Sequence, residues 1–423
     1  MTPPDTDLGE DHARRLDAAD PLAHLRERFL LPTGADGQPK TYLAGQSLGA
    51  QPIAARAEVE VELDAWARHG VDGWWTRERS WMAADQAVRA STARLVGARP
   101  GEVATLNTLT VNLHALLATF FRPAGARTTI LIDAPTFPSD RYAIESQLRL
   151  HGLDPAWDLV VVRPRDGEAL LRTEDLEAAI DAHRDRLAVA LLAGVNYATG
   201  QVHDIRRLTA AVHAAGATAM WDLAHAVGNI PLALHDADVD GAVWCTYKYL
   251  NAGPGAIGQL FIHERRTADA STLRLAGWWG NDPDTRFLMA ETFEPAAGAD
   301  GWRISTPPIL SLAPIRASLA MFDEVGIDAL RAKSVRLTGY LEGLLDALVP
   351  DAGILTPRDP AARGAQLSLR VADAPRRLAA LEAADVVVDF REPDIIRLAP
   401  VPLYNTFHDA WRAASVLAQT GTG

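Results

Sequence analysis

The sequence predicts an α/β protein in which a large domain with a mostly parallel sheet precedes a small α+β domain. Two observations predict this fold. Short, near-continuous apolar runs alternate with amphipathic helical segments between residues 128 and 262. Apolar runs without a polar face are typical of parallel strands that helices cover on both sides. Beyond residue 364 the pattern changes to a strand, a helix, two strands and a final helix from Thr406, which indicates the small domain.

The first hundred residues predict helices and one loop. A helix is expected over 21–31, and a strand with a glycine-rich loop over 38–52. Apolar residues recur at helical spacing over 53–69, which predicts a second helix. The paired Trp74 and Trp75 follow beside glycines, where they can form either a pocket wall or part of the core.

The large domain continues with alternating strands and helices. A helical pattern begins at Asn107 and runs to Phe121. Strands are predicted over 128–133, 159–162, 187–192, 217–221, 241–244 and 255–262. Helices are predicted over 173–184 and 204–215, and one or two long helices over 311–348. We divide the chain into an N-terminal segment (1–50) that packs on the small domain, a large domain (51–310) and a small domain (311–423).

Composition excludes several classes of function. The net charge of −13 argues against nucleic acid or an anionic membrane as partner. The single cysteine, Cys245, excludes an intramolecular disulfide and a zinc–thiolate cluster, and no metal site is predicted. The polar, acidic start of the chain does not resemble a secretory signal, and no apolar run approaches about 18 residues. We therefore expect a cytoplasmic protein without a membrane span.

Two polar residues follow neighbouring predicted strands. Asp222 directly follows the apolar run 217–221, and Lys248 comes shortly after the apolar run 241–244. In the carboxyl-edge crevice of such a sheet, a lysine can form a Schiff base with pyridoxal 5′-phosphate (PLP), and a carboxylate can keep the pyridine nitrogen protonated. Each residue also has an ordinary interpretation, since an aspartate after a strand is often a cap and a lysine there is usually solvated.

Neighbouring residues add to this hypothesis. His225 stands three residues after Asp222, where it can flank a ring, and Tyr247 offers a phenol beside Lys248. Thr108 and Thr110 stand where the helix after Asn107 begins. Free N–H groups at a helix start suit a phosphate, although these threonines can equally be ordinary caps.

Together these motifs resemble those of the kynureninase family. Members of this family are PLP enzymes of fold type I, related to class V aminotransferases. The resemblance covers about residues 40–412. Its motifs are Asn107-Thr-Leu-Thr-Val-Asn-Leu-His114, Phe137-Pro-Ser-Asp140, Val195-Asn-Tyr-Ala-Thr-Gly200, Trp221-Asp-Leu-Ala-His225, Cys245-Thr-Tyr-Lys-Tyr-Leu-Asn251, Arg303-Ile-Ser-Thr-Pro-Pro308 and Arg397-Leu-Ala-Pro-Val-Pro-Leu-Tyr-Asn405. It implies a large PLP-binding domain with a seven-stranded sheet.

The resemblance also implies residue roles. Catalytic roles fall on Lys248, Tyr247 and Asp222. The implied cofactor contacts are Leu109, Thr110, Phe137, Asp140, Ala193, Asp222, His225, Tyr247, Lys248, Trp278 and Thr306. Trp278 and Thr306 match contacts that, in the family, come from the neighbouring subunit, which implies a homodimer with shared active sites. The implied substrate contacts are Arg397, Trp74, Ser47 and Thr306. From the residues alone, Arg397 would be interpreted as a sheet-edge charge, but a guanidinium also grips a carboxylate bidentately.

Two positions depart from the family pattern. The N-terminal loop reads Leu43-Ala-Gly-Gln-Ser-Leu-Gly49, where the family commonly has Leu-Asp-Gly-Asn-Ser-Leu-Gly. Ala193 stands where a small hydroxyl residue is common. One cofactor hydrogen bond, of about 1 kcal/mol, is therefore expected to be missing.

The implied activity is the hydrolysis of L-kynurenine to anthranilate and L-alanine. Trp74 and Thr306 resemble the forms that prefer kynurenine, since hydroxykynurenine-preferring forms tend to carry His and Asn there. Three alternatives remain open on the sequence: a cysteine desulfurase, an aminotransferase and a non-catalytic PLP-binding module. Cys245 precedes the lysine in a predicted strand, and the chain shows no basic segment for DNA binding.

Overall fold

The computed structural model describes residues 8–76, 78–269 and 272–420; most of the acidic start of the chain, residues 1–7, lies outside this part. The helices of the described part are α1 (Glu10–Ala18), α2 (Ile53–His69), α3 (Arg89–Val96), α4 (Leu109–Phe120), α5 (Pro138–Leu150), α6 (Pro155–Asp158), α7 (Thr173–Ala182), α8 (Ile205–Ala214), α9 (Glu264–Thr267), α10 (Ile309–Val325), α11 (Ile327–Leu348), α12 (Ala374–Ala383) and α13 (Phe407–Gln419). The strands are β1 (Phe29–Leu30), β2 (Thr41–Tyr42), β3 (Gln51–Pro52), β4 (Val103–Thr105), β5 (Thr129–Asp133), β6 (Leu159–Val162), β7 (Leu187–Ala193), β8 (Thr218–Asp222), β9 (Gly241–Cys245), β10 (Gly258–Ile262), β11 (Gly353–Ile354), β12 (Leu367–Arg370), β13 (Val386–Val387), β14 (Asp389–Arg391) and β15 (Ile395–Leu398).

The large domain is built on a seven-stranded sheet in the order β4-β10-β9-β8-β7-β5-β6. The five strands from β9 to β6 run parallel. At one edge, β10 pairs antiparallel with β9, and β4 pairs antiparallel with β10. The predicted fold class is therefore confirmed. The strand β4 was not recognised in the sequence, because three residues are too few to show a pattern.

Helices cover both faces of this sheet. Along β5, Leu131 points into one apolar core, while Ile130 and Ile132 point into the other. Helices α7 and α8 contribute to the first core, and α4 and α5 to the second. Because both faces are covered, the loops at the strand ends are the part of the sheet that remains open to ligands.

The small domain contains an antiparallel sheet in the order β11-β12-β15-β14, and its core includes residues of α11, α12 and α13. The N-terminal segment lies against this domain. Strand β2 pairs in parallel with β13, and α1 packs on α13. The carboxylate of Asp17 accepts hydrogen bonds from the backbone N–H groups of Phe407 (2.6 Å) and His408 (3.1 Å), which caps the start of α13.

One expectation about local structure is wrong, and another is confirmed. The helix predicted over 21–31 is a short 3-10 helix, Ala23–Arg28, followed by β1, because Phe29 and Leu30 pair with β3. The segment 311–348 holds two helices that meet at Gly326, where φ is +79°. The first of them, α10, packs on α2 and contributes to the apolar core of the large domain, while the division of the chain into domains stays a prediction.

Candidate active site

A cavity opens where the parallel strands of the large domain end; we call it the strand-end cavity. Many of the predicted cofactor residues line it: Leu109, Thr110, Phe137, Asp140, Ala193, Asp222, His225, Tyr247 and Lys248. The sheet register explains why residues far apart in sequence meet here. Ala193 pairs with Asp222 across β7 and β8, and Asp222 pairs with Val243 on β9. Lys248 follows β9 after a two-residue connection.

The lysine is held on a well-fixed turn. The hydroxyl of Thr246 donates to the carbonyl of Ile257 (2.6 Å), and the carbonyl of Lys248 accepts from the N–H of Asn251 (2.9 Å). The side chain of Lys248 is 9% exposed, and its Nζ lies 5.7 Å from the centre of the Phe137 ring. An amine in this position can react with a ligand in the cavity while bulk water is largely excluded.

Two carboxyl groups stand together in the cavity. Asp222 ends β8, and its Oδ1 accepts a hydrogen bond from the N–H of Ala224 (2.8 Å). Asp140, in the first turn of α5, is buried and hydrogen-bonds to Asp222. Burial, and then the negative charge of Asp222, raise the pKa of Asp140 well above its usual range. Asp140 therefore holds its proton more tightly than an exposed aspartate does.

His225 and Tyr247 are both neutral at physiological pH. Burial lowers the pKa of His225 well below its usual value, and the nearby Lys248 acts in the same direction. Burial raises the pKa of the Tyr247 phenol, which lies beside the thiol of Cys245. His225 can therefore pack against a ring without adding charge, and Tyr247 carries a proton that it can donate.

The start of α4 forms another side of the cavity. Its N-cap residue Thr108 makes no side-chain capping hydrogen bond, contrary to the ordinary-cap interpretation of that threonine. The hydroxyl of Thr110 hydrogen-bonds to that of Ser139 (2.8 Å). A Cβ atom on Gly258 would lie 3.1 Å from the backbone nitrogen of Leu109, so this glycine lets β10 pass close to the helix start. Free N–H groups and paired hydroxyls suit an anion such as phosphate.

Arg397 lies next to the cavity rather than in its lining. It is 1% exposed, on β15 of the small domain. Its Nη1 donates to the carbonyl of Tyr197 (2.6 Å), which does line the cavity, and its Nε donates to Asp389 (2.9 Å). The loop that carries Ser47 lies between the two domains, since Ala44 bridges to Ala399 and the N–H of Gly49 donates to the carbonyl of Tyr247 (2.8 Å). Ser47 is not among the lining residues.

Trp74, Trp278 and Thr306 do not line the strand-end cavity of their own chain. Trp74 packs edge-on against Trp81 (5.6 Å between ring centres) and lies 5.5 Å from Trp279. Trp278 lies 5.8 Å from Trp279, measured between ring centres. These tryptophans form an aromatic cluster that does not line the cavity of Lys248.

Several lining residues were missed in the sequence, among them Asp133, Ser139 and Tyr197. Asp133 accepts a hydrogen bond from the N–H of Ala193 (3.0 Å) and lies 3.5 Å from Nε2 of His203, so it orders the loop after β7. Its position at the end of β5 was the available signal, because it matches that of Asp222 on β8. Nothing in the sequence distinguishes the ring of Tyr197 from a surface tyrosine.

One group of possible metal ligands lies away from the cavity, formed by Glu102, His235 and His263. Oε1 of Glu102 is 2.9 Å from Nδ1 of His235 and also accepts from the N–H of Glu264 (2.9 Å). The two imidazole rings are stacked at 22°, so their in-plane lone pairs do not converge on one point. These atoms are engaged in structural hydrogen bonds.

The cavity offers the groups that PLP requires. A buried amine, a carboxyl pair with an unpartnered oxygen on Asp140, an aromatic ring and a helix start surround one space. Ala193 has only a methyl side chain, so its side chain gives no hydrogen bond at this position. No helix in the described ranges is long and apolar enough to cross a membrane.

Known proteins resemble this chain along nearly its whole length. Residues 330–417 match the family model described as the kynureninase C-terminal domain. The chain is 52% identical over 420 residues to a protein named kynureninase from Salinispora tropica, with 97% of each chain covered. It is 52% identical over 421 residues to one of the same name from Xanthomonas oryzae pv. oryzae, covering 96% of this chain and 99% of that one.

Solved structures share the fold at much lower identity. The cysteine desulfurase CsdA from Escherichia coli superimposes with a TM-score of 0.76 at 17% identity, over 94% of this chain and 98% of that one. A mutant of C-DES with glycine covalently linked to its PLP cofactor gives a TM-score of 0.76 at 16% identity, over 93% and 98% of the two chains. At this identity the similarity shows the fold alone.

Proposed function

This chain belongs to the kynureninase family, and from that premise we propose that it holds PLP on Lys248 and hydrolyses L-kynurenine to anthranilate and L-alanine. One observation carries the proposal: Lys248, Asp222 and Phe137 surround a single cavity at the carboxyl ends of the parallel strands. The 52% identity to proteins named kynureninase over nearly the full length supports the choice of substrate.

The cavity residues divide the binding of the cofactor among them. The start of α4, with Thr110 and Ser139, would hold the phosphate, and the Asp140–Asp222 pair would keep the pyridine nitrogen protonated. Phe137 would cover one face of the ring, since it already lies near Nζ of Lys248. Bound there, PLP supplies an electron-withdrawing ring that weakens the bonds around the substrate carbon next to the amine.

The protein's own groups then handle the protons. The amine of Lys248 would take the proton from the α-carbon of the substrate and, after the carbon–carbon bond has broken, return a proton to that carbon. Water adds to the ketone carbon, and the bond between the β- and γ-carbons breaks. Anthranilate leaves with the new carboxylate, and the β-carbon gains a proton to become the methyl group of alanine. Tyr247, whose pKa burial raises, would donate that proton.

Arg397 would bind the α-carboxylate of the substrate. Its Nε faces Asp389, and one hydrogen of Nη1 is engaged by Tyr197, which leaves further N–H groups of the guanidinium for a ligand. Nη2 makes no hydrogen bond of good geometry, although it lies 2.5 Å from Oδ1 of Asp389. A carboxylate that reaches between the two domains would satisfy these donors.

The aromatic cluster would complete the active site of a second copy of the chain. Trp75, Trp278, Phe287 and Met289 are between 46% and 76% exposed, which is unusual for large apolar side chains that lie close together. A homodimer that buries this surface would bring Trp278 and Thr306 to the partner's cavity.

Trp74 and Thr306 would then form a wall of the substrate site that has no hydrogen-bond partner for an extra ring hydroxyl. Burying that hydroxyl unpaired costs about 1–3 kcal/mol. We therefore propose a preference for kynurenine over 3-hydroxykynurenine.

The structure gives no support to a desulfurase reaction on this fold. Cys245 is 4% exposed inside β9, and burial raises the pKa of its thiol. A cysteine that accepts sulfur must be accessible and form a thiolate readily. The likeness to cysteine desulfurases therefore concerns the fold.

The decisive experiment follows anthranilate by its fluorescence, with PLP added, from L-kynurenine and 3-hydroxy-L-kynurenine in parallel. We expect rapid release from kynurenine, slower turnover of the hydroxylated substrate, and unchanged turnover in Cys245→Ser. Bound PLP, seen by its visible absorption, without product from either substrate would overturn the proposed activity. Alanine formation that requires an added keto acid would identify an aminotransferase instead.

A further inference from the structure

The ring of Tyr197 supports the aromatic side chain that faces the lysine. Tyr197 lines the strand-end cavity, and its ring packs edge-to-face against Phe137, with the ring centres 5.3 Å apart at 81°. Phe137 itself is 38% exposed, at the mouth of the cavity. Among the described residues, no other aromatic ring pair involves Phe137, so Tyr197 is its only aromatic support.

The backbone of Tyr197 is anchored from the small domain. Its carbonyl accepts hydrogen bonds from Nη1 of Arg397 (2.6 Å) and from Nε2 of Gln366 (3.0 Å). The next carbonyl, of Ala198, accepts from the hydroxyl of Ser368 (2.6 Å). A short loop of the large domain is thus held by three side chains of the small domain.

The preceding residue is anchored within the large domain. The amide of Asn196 donates to the carbonyl of Pro135 (3.1 Å) and approaches Asp133 (3.4 Å), and its oxygen accepts from the N–H of Ala198 (3.0 Å). Because the backbone is fixed from both sides, the ring of Tyr197 has little freedom to move away from Phe137.

We propose that Tyr197 is a positioning residue that sets the tilt of Phe137 over the cofactor. Tyr197 acts through Phe137 and needs no contact of its own with the reacting atoms. The inference rests on the proposed function only in that PLP occupies the cavity; it does not depend on the substrate. Edge-to-face aromatic pairs stabilise by amounts that correspond to roughly a two- to tenfold change in an equilibrium constant.

The test is a double-mutant cycle between the two rings in the full-length protein. Tyr197→Leu and Phe137→Leu are made singly and together, with Tyr197→Phe to retain the ring without its hydroxyl. Tyr142→Leu is the matched control, since Tyr142 is a 67% exposed tyrosine on the neighbouring α5. The readouts are the dissociation constant of PLP and the visible circular dichroism of bound PLP, which reports how asymmetrically the ring is held.

We expect Tyr197→Leu to weaken PLP binding about fivefold and to reduce the visible circular dichroism. Tyr197→Phe and Tyr142→Leu should match the wild type. In the Phe137→Leu background the effect of Tyr197→Leu should disappear, because the residue through which it acts is gone. Should Tyr197→Leu fail to fold, Tyr197→Met serves the same comparison.

Other outcomes would overturn the inference. Additive effects of the two substitutions would show that Tyr197 does not act through Phe137. An equal loss in Tyr197→Phe would assign the role to the hydroxyl, and no change in Tyr197→Leu would remove the role altogether. None of these readouts uses kynurenine, so a failure of the proposed substrate leaves this test intact, and the reverse also holds.

Discussion

Asp140 and Asp222 hydrogen-bond to each other in the cavity that contains Lys248. Asp140 is 3% exposed, and its second oxygen has no partner in the described part of the chain. Burial disfavours the charged form of Asp140, and the neighbouring charge of Asp222 acts in the same direction, so the pKa of Asp140 is raised well above its usual range.

This relationship predicts a pH dependence of stability in the cofactor-free protein. The pKa of Asp140 is raised in the folded state. At pH values between the usual pKa of an aspartate and this raised pKa, Asp140 is protonated in the folded chain and ionised in the unfolded chain. Unfolding then releases a proton, and the free energy of unfolding falls as the pH rises, by about 1.4 kcal/mol for each pH unit within this range. Asp140→Asn should remove this fall in the free energy of unfolding.

Urea unfolding of both apoproteins between about pH 4 and about pH 7 provides the measurement. The stability of the wild type relative to Asp140→Asn should decline across that range. The exposed Asp166 serves as control, and Asp166→Asn should follow the wild type. Parallel curves for the wild type and Asp140→Asn would contradict the raised pKa.

The chain offers a direct test of the lysine assignment, because it contains only Lys40, Lys248 and Lys333. Lys40 pairs with Asp385 (2.8 Å), and Lys333 is buried with Asp20 (2.8 Å). Borohydride reduction of the PLP-loaded protein should therefore fix the cofactor on Lys248 alone, as read by peptide mass spectrometry. Lys248→Ala should lose both the label and at least about a thousandfold in turnover. Label on either of the other lysines would refute the assignment.

Arg397 is predicted to determine the affinity for the substrate carboxylate. Arg397→Gln keeps a polar side chain but loses the charge, and kcat/KM should fall roughly 10- to 100-fold, mostly through KM, because a charge-assisted hydrogen bond is lost. Steady-state kinetics on kynurenine measures this. Arg370→Gln is the control, since Arg370 lies on the adjacent β12 in an exposed ion pair with Asp394. A loss confined to kcat would place Arg397 elsewhere in the mechanism.

The sequence alone predicted the large-domain architecture because buried parallel strands leave a clear signal. The strand predicted over 159–162 agrees with β6 to the residue, and the helix predicted over 53–69 agrees with α2. The prediction over 21–31 was wrong, because the pairing of β1 with β3 depends on residues that lie twenty positions further along the chain. A local pattern carries no information about such a partner.

The residues of the site were also predicted only in part. Asp222 and Lys248 follow strands, and sheet geometry alone suggests that they meet. The support that Tyr197 gives to Phe137 has no counterpart in the sequence, because it depends on a loop that Gln366, Ser368 and Arg397 hold from another domain. The roles of Trp278 and Thr306 involve a second subunit, and they stay predictions.

Substrate selectivity can be tested at Trp74 and Thr306. The double variant Trp74→His/Thr306→Asn adds polar partners for a ring hydroxyl, so the ratio of kcat/KM for 3-hydroxykynurenine to that for kynurenine should rise by about tenfold or more. Trp157→His is the control, since Trp157 is a 75% exposed tryptophan on α6 and not part of the aromatic cluster. An unchanged ratio in the double variant would show that these residues do not contact the substrate ring.

Shared active sites can be tested by mixing two inactive proteins. If Trp278 and Thr306 complete the cavity of the partner subunit, Lys248→Ala lacks the lysine in its own site, whereas Thr306→Trp blocks only the site of its partner. A heterodimer of the two then has one site with both defects and one site with none. After subunit exchange of equal amounts, half of the dimers are mixed, so anthranilate release should recover to roughly a quarter of the wild-type rate. Pairing Lys248→Ala with Asp222→Ala gives the control, because those residues share one cavity and would each disable their own site. No recovery in the first mixture would show that Thr306 serves its own chain, whereas recovery in the control would show that Lys248 and Asp222 do not act in one site.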